Sequence, residues 1–450
     1  MSGEGSWWCE LAWLGGEKAE AGVHVEAIDG RFSTVEPGHA TPPEGATRLP
    51  GLTVPGFANA HSHAFHRALR GHTHRGGGTF WDWRDTMYEV AGSLDPDTYF
   101  ELARATFAEM ALAGITAVGE FHYLHHDTNG RPYGQPNAMG EAVIAAAGDA
   151  GVRITLLDTC YLHGGVGEAA AGVQQRFSDG DVERWAERAE ALPAARGAVI
   201  GAAIHSIRAV GPEEAATVAA WAAERNCPLH AHVSEQPAEN EACREAYGKT
   251  PVEVLSDAGA LGGRFTAIHA TNLEPSDIAL LGASASCCCF CPTTERDLAD
   301  GIGPASALLA AGSSLSLGSD SHAVIDMLEE ARAVDLDERL ATGRRGTHDA
   351  PSLLLAATRA CHMSIGDPSA GAIEPGARAD LVSIGLSDVR TAGATADSAL
   401  DAVVFAASAA DVESVIRDCE TIVSEGRHRS IDVAAALTRT IGGIFSLAPS

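Results

Sequence analysis

Short apolar runs recur through the middle of the chain at intervals that predict alternating strands and helices. Eight of these runs are typical of buried strands: 53–59, 115–123, 152–161, 199–205, 228–233, 265–269, 285–291 and 314–319. Alanine-rich segments with helical spacing lie between them, among them 97–113, 140–150, 182–192, 212–226, 251–258 and 274–281. Because strand and helix alternate, the strands are expected to be parallel. The pattern predicts an α/β fold, a distorted (β/α)8 TIM barrel with functional groups at the C-terminal ends of its strands.

The two ends of the chain do not follow this alternation. The first ~50 residues consist of short β segments and turns. After a helical stretch at 352–361 come a turn, a further β run and a helix near 431–440. We therefore predict a small discontinuous β-sandwich domain formed by residues 1–52 and 366–450, with the barrel at 53–365.

Composition and charge narrow the classes of protein. Of 450 residues, 45% are hydrophobic and 20% are charged, which is typical of a globular protein with a large core. The formal charge is −29, so binding to nucleic acid or to an anionic membrane is disfavoured. The chain starts without a basic, apolar signal segment, and no apolar stretch reaches the roughly 20 residues of a membrane span, so a cytoplasmic protein is expected.

The chain has ten cysteines, which could form disulfide bonds or a metal-binding motif. Without a secretory signal they are expected to be reduced thiols. The run Cys287-Cys288-Cys289-Phe290-Cys291 lacks the turn of a chelating Cys-x-x-Cys motif, so we interpret it as part of a buried core strand.

His61 and His63 are the first candidates for a metal site. Alternate residues of a strand face the same side, so both imidazoles are expected on one face. A lone His-x-His is weak evidence, but His232 and Asp320 also follow short apolar runs. Three neutral imidazoles and a carboxylate suit Zn²⁺ and leave a position for water, whose pKa a catalytic zinc lowers to about 7. Fe²⁺ or another divalent ion is an alternative to Zn²⁺ at this site.

Longer motifs give the chain a resemblance to a known family. They are Pro55-Gly-Phe-x-Asn-x-His-Ser-His-Ala-Phe65, Phe80-Trp-Asp-Trp-Arg84, Glu120-Phe-His-Tyr123, His205-Ser-Ile-Arg208, His232-x-Ser-Glu235-Gln, Cys291-Pro-Thr-Thr-Glu295 and Gly318-Ser-Asp320-Ser. The chain resembles the amidohydrolase superfamily over almost its whole length. Within that superfamily, the segments around Arg84, Tyr123 and Arg208 make it most similar to the formimidoylglutamate deiminases of bacterial histidine degradation.

The resemblance implies zinc-dependent hydrolysis of a C=N group with release of ammonia. Glu235 would move a proton to the leaving nitrogen, His269 would polarise the attacking water and stabilise the tetrahedral centre, and Asp320 would accept the proton of that water. Some members hold two metals through a lysine at the end of the fourth strand. Here that strand ends at His205, so one metal per chain is expected, and a homodimer is implied by the resemblance alone.

Residues for a substrate with two carboxylates form a second group. Planar guanidinium groups bind carboxylates bidentately, and Arg84 and Arg208 are the candidates. The resemblance adds Tyr123 and His205 as hydrogen-bonding partners. His66 stands where many relatives are expected to have glutamine, and it can still donate a hydrogen bond to a carboxylate.

Other positions leave the substrate less certain. Asn272 stands where another histidine is common in the family, and Trp81 and Trp83 are expected either to wall the pocket or to anchor its loop. A deaminase of a guanine-like base or related heterocycle would use the same metal core with fewer arginines. A catalytically silent zinc-binding barrel is the non-enzymatic alternative, which the presence of Glu235 and His269 argues against.

Overall fold

The computed structural model describes residues 3–74 and 80–447 of the chain. In this part the strands are β1 (Gly5–Ala12), β2 (Glu20–Ile28), β3 (Arg31–Glu36), β4 (Thr47–Pro55), β5 (Phe57–Ser62), β6 (Ile115–His122), β7 (Arg153–Cys160), β8 (His163–Gly165), β9 (Glu168–Ala169), β10 (Val199–Ile204), β11 (Leu229–Val233), β12 (Phe265–His269), β13 (Cys287–Phe290), β14 (Ser314–Leu317), β15 (Leu381–Ile384), β16 (Val412–Arg417), β17 (Glu420–Ser424) and β18 (Arg427–His428). The α-helices are α1 (Phe80–Ser93), α2 (Pro96–Leu112), α3 (Ala138–Ala150), α4 (Val182–Glu190), α5 (Pro212–Arg225), α6 (Pro237–Tyr247), α7 (Pro251–Asp257), α8 (Pro275–Ala283), α9 (Pro292–Asp297), α10 (Ala305–Ala311), α11 (Met327–Thr342), α12 (Ala350–Leu355), α13 (Cys361–Ser364), α14 (Ala399–Ala406) and α15 (Val433–Leu447).

Eight parallel strands form the predicted barrel, in the order β5, β6, β7, β10, β11, β12, β13 and β14. The circle closes between the last strand and the first, where the Asp320 amide donates to the His61 carbonyl at 3.0 Å and the His63 amide donates to the Asp320 carbonyl at 3.3 Å. The strands are buried almost throughout, as expected for a sheet covered on both faces. The predicted fold class is confirmed.

Two predictions from local pattern can be compared directly with these strands. The apolar run at 53–59 is not one barrel strand, because β4 continues to Pro55 in another sheet and β5 begins at Phe57. The chain passes between the sheets at Gly56, where a Cβ atom would lie 2.4 Å from the Thr116 hydroxyl oxygen. The cysteine run is buried and without a disulfide, and Cys287–Phe290 form the core strand β13, whereas Cys291 follows the strand and caps α9.

Strands from both ends of the chain form one mixed sheet of eight strands, in the order β18, β17, β16, β15, β4, β1, β2 and β3. A separate hydrophobic cluster that includes Trp7, Phe32 and Leu381 packs on it. The helices after β15 pack elsewhere: α15 lies against α1 and α2, and α14 lies against α11 and α12. We therefore propose a small domain at 1–52 and 366–450 and a barrel domain at 53–365. Two helices of the small domain, α14 and α15, contact barrel helices.

A buried ionic cluster joins the two sheets. Arg153, the first residue of β7, forms ion pairs with Asp380 and Asp418 of the mixed-sheet region and with Asp367. No helix in the described ranges is both long and apolar enough to cross a membrane.

Candidate functional site

Five side chains predicted to be functional meet at the C-terminal ends of barrel strands. They are His61 on β5, His63 just after it, His232 on β11, His269 at the end of β12 and Asp320 just after β14. One carboxylate oxygen of Asp320 lies 3.3 Å from His61 Nε2 and 3.4 Å from His63 Nε2. His232 Nε2 lies 3.1 Å from His61 Nε2. The donor atoms of His61, His63 and Asp320 all lie within 4.8 Å of one another, and so do those of His61, His232 and His269. His61 belongs to both groups, so the two could contribute ligands to one ion.

Hydrogen bonds on the far side of two rings fix their tautomers. His63 Nδ1 donates to the Phe121 carbonyl and His232 Nδ1 donates to the His205 carbonyl, each at 2.9 Å. Because a carbonyl only accepts, Nε2 of each ring keeps its lone pair and faces the centre of the cluster. Such outer hydrogen bonds are usual for metal-binding histidines. His61 Nδ1 has no hydrogen-bond partner among the described residues.

Burial keeps these imidazoles neutral. It lowers the pKa of His61 to about 3, and it lowers the pKa of His63 and of His232. Burial alone would raise the pKa of Asp320, but His61 and the other histidines hold it well below its ordinary value. Three neutral imidazoles around one carboxylate form a donor set that fits Zn²⁺.

Backbone strain is concentrated at the same strand ends. Ser234, His269 and Asp320 have φ values of 51°, 67° and 39°, in the left-handed region that non-glycine residues rarely adopt. Such conformations persist where the surrounding structure enforces them, typically at functional sites. Here they turn the chain sharply after β11, β12 and β14, next to the side chains that converge.

Glu235 and His269 lie on the open side of the cluster. Glu235 has one carboxylate oxygen 3.7 Å from His269 Nε2 and the other 3.3 Å from Arg208 Nη2. His269 Nδ1 lies 3.4 Å from Glu295, a buried carboxylate on α9. Burial would lower the pKa of His269, but Glu235, Glu295 and Asp320 outweigh it and raise that pKa well above its ordinary value. These three carboxylates therefore favour the protonated imidazolium of His269, which can donate hydrogen bonds from both ring nitrogens.

Sequence reasoning assigned no role to the residues that hold Glu235 in place. Glu239, buried on α6, accepts a hydrogen bond from the Glu235 amide at 3.1 Å. The side-chain amide of Asn272 donates to the Glu235 carbonyl at 2.7 Å and to the Ser234 carbonyl at 3.2 Å. Asn272, where the family pattern differs, thus supports the turn after β11. Glu295 was visible only as part of a motif, with no signal that it pairs with His269.

A cavity of about 580 Å³ opens above the cluster. All residues predicted to bind substrate line it, namely His66, Arg84, Tyr123, His205 and Arg208. Glu235, His269, Asp320, His63 and His232 line the same cavity.

Aromatic rings and hydrogen bonds fix several of these side chains. His66 Nε2 lies 2.9 Å from the Tyr123 hydroxyl, and burial lowers the pKa of His66 well below its ordinary value. The Arg84 guanidinium lies 5.4 Å from the centre of the Tyr88 ring. Trp83 lines the cavity and meets the His66 ring edge-on at 5.3 Å, whereas the side chain of Trp81 lies outside the described part of the chain. The cavity therefore brings two arginines and several neutral hydrogen-bonding groups together beside the ligand cluster.

The sequence analysis missed one wall of this cavity. The Gln174 amide donates to the hydroxyl groups of Tyr88 and Tyr161, both at 3.1 Å. The short hairpin of β8 and β9 contributes Gly164, Gly165 and Glu168 nearby. Gln174 and the hairpin lie between barrel strands and outside every motif, so no local pattern marked them.

Comparisons with known proteins agree with this geometry. Residues 52–422 match the model of the amidohydrolase family. The chain is 36% identical over 417 residues to formimidoylglutamate deiminase of Pseudomonas aeruginosa, covering 89% of this chain and 91% of that protein. It is 28% identical over 402 residues to 8-oxoguanine deaminase of the same organism, covering 86% of each. A crystal structure of an amidohydrolase from Brucella melitensis superposes with a TM-score of 0.91 at 33% identity, over 98% of this chain and all of that one.

Proposed function

The chain belongs to the amidohydrolase family and is a hydrolase acting on C–N bonds, and we propose that it hydrolyses N-formimidoyl-L-glutamate to N-formyl-L-glutamate and ammonia. One observation supports this most strongly. The proposed ligands His63, His232 and Asp320 line one cavity together with Glu235, His269, Arg84 and Arg208, and Arg208 Nη2 lies 3.3 Å from Glu235. A hydrolytic centre therefore shares its cavity with two groups that bind carboxylates. The similarity to formimidoylglutamate deiminase of Pseudomonas aeruginosa supports the same substrate.

We propose that His61, His63, His232 and Asp320 hold one Zn²⁺ per chain. The two fixed tautomers, the neutral imidazoles and the low pKa of Asp320 fit this ion. When bound, such an ion polarises a water molecule and makes it a nucleophile near neutral pH.

The protein's own groups handle protons and charge in the proposed reaction. Asp320 accepts a proton from the attacking water, and water adds to the C=N carbon. His269, whose protonated form three neighbouring carboxylates favour, donates a hydrogen bond that stabilises the negative charge on the oxygen bound to the tetrahedral carbon. Glu235 carries the second proton of the water to the leaving nitrogen, and the first proton passes from Asp320 to the same nitrogen. The C–N bond then breaks, and ammonia departs while the carbon becomes a formyl carbonyl. One water is consumed for each ammonia released.

The two arginines are proposed to bind the two carboxylates of the substrate. Tyr123, His205 and His66 add hydrogen bonds on the same side of the cavity. Arg208 currently pairs with Glu235, so a substrate carboxylate that binds Arg208 would weaken this ion pair and leave Glu235 to the reacting nitrogen. Binding of the substrate would thus free Glu235 from its ion pair with Arg208 and make it available for proton transfer.

The test is ammonia release from N-formimidoyl-L-glutamate by the zinc-loaded protein. Formimidoyl-L-aspartate, guanine and 8-oxoguanine are measured under the same conditions. Fast turnover of the glutamate compound, lost after chelation and restored by zinc, is the expected result. Turnover of a purine without turnover of the amidine would overturn the substrate proposal and keep the hydrolase.

A purine deaminase is the second candidate. The similarity to 8-oxoguanine deaminase of Pseudomonas aeruginosa favours it. Its substrate lacks carboxylates, so Arg84 and Arg208 would have no substrate carboxylate to bind. A place in histidine degradation and a homodimer stay predictions from the family resemblance, and a cytoplasmic location stays a prediction from the sequence.

A further inference from the structure

A second cluster of metal-binding side chains lies on the mixed sheet and has no part in the proposed reaction. His24, Glu36 and His39 offer one donor atom each, and these atoms all lie within 4.8 Å of one another. We propose that these three side chains form a second site for a divalent transition-metal ion such as Zn²⁺, separate from the barrel.

Strand pairing brings the first two donors together. His24 on β2 lies directly opposite Glu36, the last residue of the antiparallel strand β3. Side chains at directly opposed positions emerge on the same face of a sheet with their Cβ atoms about 5 Å apart. Sheet register thus fixes this pair without help from loop conformation.

The backbone of the following loop fixes the third donor. The His39 amide donates to the Gly22 carbonyl at 2.8 Å, and the Trp8 indole donates to the His39 carbonyl at 2.9 Å. Gly22 has φ of 60°, and a Cβ there would lie 2.2 Å from the His39 carbonyl oxygen. Only glycine allows this close approach, so the loop position is built into the sequence and His39 needs little reorganisation to bind an ion.

Position and charge favour a cation at this place. His39 Nε2 lies 3.4 Å from a Glu36 carboxylate oxygen, close to the separation of two ligands on one zinc ion. His24 Nε2 lies 2.9 Å from the Ser6 hydroxyl oxygen and 4.0 Å from Glu26, a second carboxylate on the same strand. The side chain of His24 is 11% exposed, that of His39 is 35% exposed and that of Glu36 is 62% exposed. The rings are held by the sheet while one side stays open for ion entry and for water ligands.

The competing explanation is two ordinary surface contacts between histidine and carboxylate. These would be worth little and would hold no ion. Titration of the folded, zinc-loaded protein with further Zn²⁺ separates the two, since the barrel site is already occupied. We expect one additional equivalent to bind to the wild type and none to the double variant His24→Gln, His39→Gln. Ammonia release should be the same for both proteins, which also shows that the variant is folded.

A matched control and a second measurement complete the test. His74 is an exposed histidine that pairs with Asp297 at 2.6 Å and belongs to no three-donor group among the described residues, so His74→Gln should keep the additional equivalent. With Cu²⁺ as the added ion, electron paramagnetic resonance should show coupling to two imidazole nitrogens in the wild type and not in the double variant. No additional equivalent in the wild type, or one that survives in the double variant, would overturn the proposal. Neither result depends on which substrate the barrel hydrolyses.

Discussion

At the residue scale, Glu235 is held between the imidazole of His269 and the guanidinium of Arg208. His269 Nε2 and Arg208 Nη2 approach its two carboxylate oxygens from different sides. Glu239 and Asn272 fix the backbone at the same residue. This arrangement orients the carboxylate for proton transfer in the proposed reaction, because a general acid–base group must lie within hydrogen-bonding reach of the reacting atoms.

We predict that Glu235→Gln lowers kcat by about 10²- to 10⁴-fold, since the amide cannot carry the proton. The zinc content should not change, because Glu235 is not among the proposed ligands. Stopped-time ammonia assays and metal analysis measure both quantities. Glu241→Gln, an exposed glutamate on the same helix as Glu239, is the matched control and should keep wild-type kcat. Normal turnover in Glu235→Gln would contradict the assigned role.

The two arginines can be tested separately. We predict that Arg84→Met and Arg208→Met each lower kcat/KM for N-formimidoyl-L-glutamate by roughly 10- to 150-fold, corresponding to a charged hydrogen bond of about 1.5–3 kcal/mol. Arg84→Met should act mainly on KM. Arg208→Met should also lower kcat, because it removes a partner of Glu235. Steady-state kinetics with zinc-loaded variants make the comparison, and wild-type kinetics in both would refute the carboxylate-binding assignment.

At the scale of elements, the barrel closes where its last strand meets its first. Gly318, just after β14, lies so close to β5 that a Cβ there would be 2.7 Å from the His61 Cβ and 2.9 Å from the Cys291 sulfur. The neighbouring backbone hydrogen bonds between His61, His63 and Asp320 hold three proposed ligands in register. Local packing at this seam and the geometry of the ligand cluster therefore depend on each other.

We predict that Gly318→Ala lowers the free energy of unfolding by about 1–3 kcal/mol, as overpacking of a close contact does. It should also lower the zinc content after purification. Gly442→Ala on α15, where the added methyl group meets no atom within 4 Å, is the control. Alanine is the better helix former there, so its stability should stay equal or rise by up to ~1 kcal/mol. Equal stability of both variants in urea would contradict the close contact.

At the scale of the whole molecule, Arg153 connects the barrel to the mixed sheet. Its guanidinium, largely buried, pairs with Asp380 and Asp418. Asp380 also accepts from the Asp418 amide at 3.0 Å. Removing one partner of a buried ion pair leaves the other charge buried and unpaired. The resulting loss of stability exceeds the stabilisation that the intact pair provides.

We therefore predict that Arg153→Met lowers the free energy of unfolding by about 3–5 kcal/mol. The exposed pair of Arg244 and Glu274 offers a matched comparison, and Arg244→Met should cost less than about 1 kcal/mol. Urea denaturation followed by circular dichroism measures both. A loss below 1 kcal/mol in Arg153→Met would show that this cluster contributes little to holding the two sheets together.

Buried histidines outside the candidate site should make stability depend on pH. Burial lowers the pKa of His125 to about 4, while its ring donates to the Thr159 carbonyl at 2.9 Å. In the unfolded chain a histidine has a pKa of about 6.5, so between pH 6.5 and pH 4 the unfolded chain binds a proton that the folded protein does not bind. The neutral His125 therefore contributes fully to the free energy of unfolding above pH 6.5, and this contribution is lost as the pH falls towards 4. His125→Gln keeps a donor and should reduce the slope of unfolding free energy against pH by about 1.4 kcal/mol per unit between pH 4.5 and 6. An unchanged slope in His125→Gln would refute the prediction.

The sequence by itself determined the barrel strands, their parallel order and the residues that follow them. Barrel strands are buried on both faces and therefore appear as short apolar runs, and helices appear as apolar residues at helical spacing. Both patterns lie within short segments, so they can be recognised without a structure. The types of residue at strand ends, such as His61, His63, His232 and Asp320, also belong to single short segments. Barrel topology then requires these ends to meet on one side, which is why the candidate site could be predicted from them.

Only the tertiary structure decided how distant residues pair. The contacts of Arg208 with Glu235, of Glu295 with His269 and of Arg153 with Asp380 each join segments separated by many residues. Their existence depends on sheet register, on strained turns after the strands and on loop conformation, none of which leaves a periodic pattern in the chain. The division of the run at 53–59 between two sheets has the same origin, because local hydrophobicity cannot tell which neighbour a strand will pair with.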